Sequence, residues 1–209
     1  MVECAIVAII AYLIGSVNFS VILSKKMAGF DLREKGSGNA GTTNVLRTVG
    51  KKAAIITLIC DILKGVVAIL IAMLVGKIVQ GSNASLLVQC AGVAVILGHT
   101  FPIFFKFKGG KGVATSLGVL IMSNWQIGLI CLVFALILIA LTQMVSVGSI
   151  AAAILYPVLT LFIPQNYIIP GNYLIYSVLL AIIIVFNHRE NVKRLLKGTE
   201  NKISFKTVK

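Results

Sequence analysis

Charge is scarce in this chain, and acidic charge is scarcest: 12% of its 209 residues are charged, and only six are Asp or Glu. A soluble domain carries about 25% charged residues, so a water-facing globular surface is excluded. The four cysteines, Cys4, Cys60, Cys90 and Cys131, stand singly in apolar runs. Without a C-x-x-C pair they support neither a disulfide framework nor a zinc site, and inert packing is expected. No pattern calls for a metal or an organic cofactor. A cleavable signal peptide is also missing: Glu3 replaces the basic leader, and the first apolar run continues without an A-x-A-like site to Lys25 and Lys26. That first segment is expected to remain as an anchor. No internal repeat, low-complexity tract or linker divides residues 1–209, which read as a single domain.

What is present is hydrocarbon. Fifty-eight per cent of the residues are hydrophobic and the mean hydropathy is +1.02. An all-α polytopic integral membrane protein is the expected class. Apolar runs cover 3–23, 53–76, 84–101, 112–123, 127–142, 147–163 and 173–187, or about seven transmembrane helices. A crossing needs about 20 residues, so the runs flanking Asn124, Trp125 and Gln126 are short. They fit either two crossings, the preferred reading, or one re-entrant hairpin.

The formal charge of +13 invites a nucleic-acid reading, but no basic helix is interleaved with stacking aromatics, so no nucleic-acid partner is expected. Instead the basic residues cluster: seven of nineteen in 25–52, three in 106–111 and seven in 189–209. The intervening connections hold only Lys77. The positive-inside rule then predicts an outside N-terminus and a cytoplasmic C-terminus, with the three basic blocks on the cytoplasmic face. Pro164, Pro170 and Gly171 would bracket an outer turn.

Two glycine-rich segments interrupt the hydrocarbon. The first, Gly36 to Arg47 (GSGNAGTTNVLR), has glycines at 36, 38 and 41 that permit positive φ, so that successive N–H groups converge on an anion. Ser37, Asn39, Thr42, Thr43 and Asn44 add donors, and Arg47 a bidentate fork for phosphate. The second, Gly98 to Thr115 (GHTFPIFFKFKGGKGVAT), superficially suggests a nucleotide P-loop, but Lys111 is followed by Gly112 where Walker A requires Ser or Thr. What remains is a lysine on a loop of Gly109, Gly110 and Gly112 that opens a helix, a geometry suited to phosphate. Lys106 and Lys108 read as interface anchors.

Of the two histidines, His188 has Asn191 on the same helical face, with Arg194 a turn further on. His99 is expected to fix its loop. Asp61 and Lys64, three apart in the second run, are expected to form an ion pair that reduces the cost of burial. Ser146 should return to the cytoplasmic face as a phosphate donor; Ser149 is a weaker candidate.

These two segments and the terminal HRENVKRLLKGTE, in this order and between these runs, resemble the three motifs of the bacterial acyl-phosphate:glycerol-3-phosphate acyltransferases, the PlsY family. The similarity extends over nearly the whole chain. It implies an inner-membrane enzyme that moves a fatty acyl group from acyl phosphate to the sn-1 hydroxyl of glycerol 3-phosphate, releasing lysophosphatidic acid and phosphate, the first acylation of phospholipid synthesis. On the matching positions, the resemblance implies that Ser37, Gly38, Asn39, Thr43, Asn44, Arg47, Gly110, Lys111, Gly112 and Ser146 form a phosphate-binding surface. It also implies that His188 and Asn191 lie near glycerol 3-phosphate. Arg47, Lys111 and His188 are the catalytic candidates, with either His188 or a substrate phosphate as base; the resemblance leans toward the phosphate. Neither histidine begins the H-x-x-x-x-D pair used by the acyl-CoA-dependent glycerolipid acyltransferases. The expected partners are the two substrates and membrane lipid, and nothing specifies an oligomeric state. A transporter of phosphorylated metabolites is the competing class. It calls for polar residues spread to the midplane and near-symmetrical halves, whereas here only Asp61 and Lys64 lie deep.

Overall fold

The computed structural model describes residues 1–163 and 171–203, so the outer turn expected around Pro164 and Pro170 lies largely outside the described residues. Among these the chain is helical, without strands: α1 (Val2–Ser16), α2 (Phe19–Ala28), α3 (Thr42–Thr48), α4 (Lys51–Ile78), α5 (Ala84–Thr100), α6 (Val113–Ser123), α7 (Trp125–Thr142), α8 (Val145–Phe162), α9 (Leu174–Asn187) and α10 (Arg189–Leu196). Each expected apolar run is helical. Five helical stretches are long and apolar enough to cross a bilayer: Val2–Ala28, Lys51–Ile78, Ala84–Phe105, Trp125–Thr142 and Val145–Phe162. α9 and α10 form a pair bent by 61°. α6 is the shortest of the expected spans, its 11 residues rising only about 16 Å against a hydrocarbon core of about 30 Å.

Asparagines set the helix starts. Asn18, Asn83 and Asn124 each accept a first-turn N–H, from Val21, Leu86 and Ile127 respectively. Asn18 therefore breaks the first apolar run into α1 and α2, and Asn124 separates α6 from α7 without a loop. At the other end, Gly29 closes α2 at φ 74°, a left-handed conformation suited to glycine.

The chain divides into two compact units, Met1–Val119 and the segment beginning at Leu120. In the first, glycines on facing helices let backbones approach. A Cβ on Gly15 of α1 would strike the Val95 carbonyl of α5, and one on Gly98 of α5 would strike the Tyr12 carbonyl of α1. α4 and α6 repeat the arrangement, with Gly65 on the Thr115 carbonyl and Gly118 on the Ile62 carbonyl. In the second unit, Gly148 of α8 lies on the Ala135 carbonyl of α7.

α4 shows which solvent this fold meets. Ile59, Leu63, Leu70 and Leu74 are exposed, whereas Thr57, Asp61 and Lys64 are buried, the inverse of a helix in water. The expected ion pair forms, with Lys64 Nζ 2.9 Å from Asp61 Oδ1.

Candidate active site

In the first unit, Asn44 organises the loop ahead of α3. Its Oδ1 accepts the Ser37 N–H at 3.0 Å, and its Nδ2 donates to the Lys35 carbonyl at 3.0 Å and the Leu32 carbonyl at 3.3 Å. Both amide hydrogens are thereby spent, so Asn44 shapes the loop that presents Ser37 and has no further N–H to offer a ligand. Gly36 must lack a side chain, because at φ 59° its Cβ would meet that same Asn44 oxygen. Gly38 turns the chain at φ 69°, leaving Ser37 exposed and Asn39 half-buried. Gly41 is extended and precedes the first turn of α3, which carries Thr42, Thr43 and Asn44; Arg47 follows in its last turn.

The second segment folds back on the end of α5. Gly109 N–H donates to the Thr100 carbonyl and Gly110 N–H to the His99 carbonyl, each at 3.1 Å. These two donors are therefore spent within the protein, unlike the open loop expected from the glycines. The residues that follow, half-buried Lys111 and Gly112 at φ 86°, lead into α6, whose first turn has backbone N–H groups without helical acceptors.

The two segments adjoin. A Cβ on Gly110 would lie 2.6 Å from the Ala40 carbonyl oxygen, so the loop before Lys111 rests on the backbone of the first segment. Arg33 makes a second tie. It forks onto Asp31 (Nε to Oδ1 2.9 Å, Nη2 to Oδ2 2.7 Å) and donates from Nη1 to the Phe105 carbonyl at 2.6 Å. This strut was not anticipated from the sequence, where Arg33 is one more residue of a basic block. The Arg33 fork, joined by Lys25 at 3.2 Å, holds the Asp31 carboxyl well below the usual carboxylate range. A folded-state value below the unfolded one contributes stability that is present above about pH 4 and is lost as pH falls through the folded value. Asp31→Asn should therefore lower the thermal midpoint in detergent by about 3 °C at pH 7, with the gap closing as the buffer is taken toward pH 3. An equal gap at both pH values would refute the assignment.

In the second unit a cluster forms around an acid that sequence reasoning had not singled out. Glu200 accepts from Ser146 Oγ at 2.9 Å and Asn191 Nδ2 at 2.7 Å through one oxygen, and from Arg194 Nε at 2.9 Å through the other. Burial opposes its charge, yet those hydrogen bonds outweigh it and hold the carboxyl below its ordinary value. Two of the expected substrate residues are thus fixed by one carboxylate. Glu200→Ala would leave buried donors unpaired, with an expected loss of about 1–3 kcal/mol, read by thermal unfolding; Glu200→Gln, which keeps one acceptor oxygen, should lose less.

His188 sits at the α9–α10 bend and is buried. Its Nδ1 lies 2.7 Å from the Ile184 carbonyl, which can only accept, so Nδ1 bears a proton. Among the described residues, no group of three or more His, Cys, Asp and Glu side chains is placed to hold a metal ion.

These elements define a polytopic, all-helical membrane protein that carries glycine-rich cationic loops and one bent helix pair. The chain belongs to the glycerol-3-phosphate acyltransferase family, whose model matches residues 5–198, and it is a membrane acyltransferase. It is 45% identical over 200 residues to the glycerol-3-phosphate acyltransferase of Thermoanaerobacter pseudethanolicus, covering 96% of both chains. The corresponding enzyme of Clostridioides difficile is 43% identical over 201 residues, again with 96% of each chain covered. A crystal structure of PlsY, an integral membrane glycerol 3-phosphate acyltransferase, in its glycerol 3-phosphate form superposes with a TM-score of 0.85 at 37% identity, covering 96% of both chains. Its lysophosphatidic acid form gives 0.83 at 35% identity, covering 96% of this chain and 95% of the other.

Proposed function

We propose that this protein transfers a fatty acyl group from acyl phosphate to the sn-1 hydroxyl of glycerol 3-phosphate, at the cytoplasmic face of a bacterial inner membrane, as the first acylation of phospholipid synthesis. The observation that carries the reading is the 0.85 TM-score to a PlsY in its glycerol 3-phosphate form, taken with two adjoining glycine-rich segments, one leading into the helix that carries Arg47 and the other carrying Lys111. Both substrates and the leaving group carry phosphate, and the loops supply fixed cationic and N–H partners for it. Acyl phosphate is a mixed anhydride, so positioning and charge neutralisation are the work left to the protein.

In the proposed step the hydroxyl oxygen attacks the acyl carbonyl carbon, the carbon–oxygen bond to phosphate breaks, and phosphate leaves with the electron pair. Lys111 and Arg47 neutralise the charge that grows on the departing oxygen. Ser37, Gly38, Asn39, Thr43, Gly112 and Ser146 seat phosphate, Asn44 holds the first loop, Gly110 shapes the loop that carries Lys111, and Asn191 with His188 serves glycerol 3-phosphate. The proton passes to His188 Nε2 or to a substrate phosphate oxygen, and resemblance to the family favours the second.

Detergent-purified protein supplied with acyl phosphate and glycerol 3-phosphate should release one phosphate per lysophosphatidic acid formed. Phosphate release independent of glycerol 3-phosphate, or labelled substrate moving into vesicles without acylation, would overturn the reading. Transport has little support from the geometry, because the deep polar residues of α4 are engaged with one another.

A further inference from the structure

The Asp61–Lys64 pair has a third member that the proposed chemistry does not use. Lys64 Nζ lies 2.7 Å from His99 Nδ1, as well as 2.9 Å from Asp61 Oδ1 and 3.1 Å from each of the Gly15 and Val17 carbonyls, where α1 gives way to α2. All three side chains are almost completely buried. An ammonium has three hydrogens, and the geometry gives them to the Gly15 and Val17 carbonyls and to His99 Nδ1, which must therefore accept, while Asp61 Oδ1 is held as an ion pair. The single proton of the neutral ring is then on Nε2. A cationic ring would turn an Nδ1–H against the ammonium at 2.7 Å.

The Nε2 edge points to the loop. The position a Gly110 Cβ would take is already filled by His99 Nε2, with the Ala40 carbonyl oxygen beside it at 2.6 Å. The ring and the Ala40 carbonyl thus close that position from two sides, and only a residue without a side chain fits between them. The His99 carbonyl meanwhile accepts the Gly110 N–H at 3.1 Å. His99 thus grips Gly110 through both ring and backbone, and the next residue is Lys111.

We propose that the buried chain Asp61–Lys64–His99 is a positioning device: it fixes His99 as the Nε2–H tautomer, which seats Gly110 against Ala40 and thereby aims Lys111. The proposal rests on the reading of Lys111 as a phosphate contact. His99 is a positioning residue here, since it acts through the loop and not on substrate. Burying an ion pair beside a histidine is costly where an apolar trio would serve packing, and a role in aiming a cation explains its presence.

The test uses full-length protein in detergent micelles. With only two histidines in the chain, nitrogen-15 imidazole spectra resolve each ring. His99 should show a protonated Nε2 and a bare Nδ1 across neutral pH. Asp61→Asn with Lys64→Met removes both charges together, avoiding a stranded ion. That double variant should show a mixture of His99 tautomers and a kcat lowered about tenfold, with KM for glycerol 3-phosphate changed by less than about twofold. His99→Gln, which keeps an N–H near the Nε2 position, should retain at least about half the wild-type kcat, and His99→Leu should match the double variant. If the double variant does not fold, the Gln and Leu pair decides.

A His99 protonated on Nδ1 in the wild-type protein, or a His99→Leu enzyme with wild-type kcat, overturns the proposal. Equal losses in His99→Gln and His99→Leu also overturn it, since a merely space-filling histidine gives that result. Lys111→Ala separates the two levels. An inactive Lys111→Ala beside a fully active His99→Leu defeats only the positioning role, whereas an active Lys111→Ala defeats the phosphate reading beneath it.

Discussion

Lys111→Ala should lose more than nine-tenths of the acyl-transfer rate while the protein inserts and folds normally, and Arg47→Ala should do the same. The threshold corresponds to a barrier increase of at least about 1.4 kcal/mol. A cationic side chain at a membrane boundary is expensive to place and hold, so each must be offset by something it binds. Lys111 follows directly on a glycine whose backbone and contacts are fixed by His99 and Ala40, and Arg47 stands in the last turn of a helix whose entry loop is held by Asn44. Lys111→Arg should recover only part of the rate, because a planar fork does not reproduce the point charge of an ammonium. Retention of a tenth or more of the wild-type rate in either alanine variant would sink the assignment. His188→Ala sharpens the mechanism: a loss smaller than that of Lys111→Ala points away from an obligatory histidine base, and an equal loss keeps His188 in play as the base.

Much of this architecture is legible in the order of the residues, because in a bilayer the backbone has few choices. The apolar runs are helical, the first as two helices, and the spacing of Asp61 and Lys64 foretells their pairing. The shortness of α6 is also present in the numbers, since residues 112–123 fall well below a crossing length and the helix has 11 residues.

What stays hidden is convergence across distance. His99 lies thirty-five positions from Lys64, and only the packing of α4 against α5 turns two separate polar residues into one chain. Glu200 looks like a stray acid at the end of a basic helix. It becomes a hub because the chain reverses at Gly198, φ 66°, and carries the carboxylate back to Asn191 and Arg194. The glycines mislead in a different way. Their density suggests free backbone N–H groups throughout 109–112, yet the first two donors close the loop on α5.

Gly110→Ala should therefore lower kcat/KM by about a hundredfold, the cost of moving a catalytic group by about 1 Å. The obstacle is steric and not conformational, since Gly110 does not adopt positive φ. An added methyl would overlap the His99 ring nitrogen and stand 2.6 Å from the Ala40 carbonyl. Ala40 is backbone of the first motif and His99 is tied to Lys64, so neither neighbour yields as a flexible side-chain tip would. The loop must move instead, and Lys111 with it. Gly29→Ala supplies the contrast: its Cβ would meet nothing within 4 Å, but φ 74° makes the residue strained, so about 1 kcal/mol of stability should be lost with the rate unchanged. Comparing the two variants by thermal unfolding and by phosphate release separates a damaged site from a strained turn. A Gly110→Ala enzyme within about threefold of wild type would mean that the loop tolerates displacement, and that Lys111 does not need the seat His99 and Ala40 make for it.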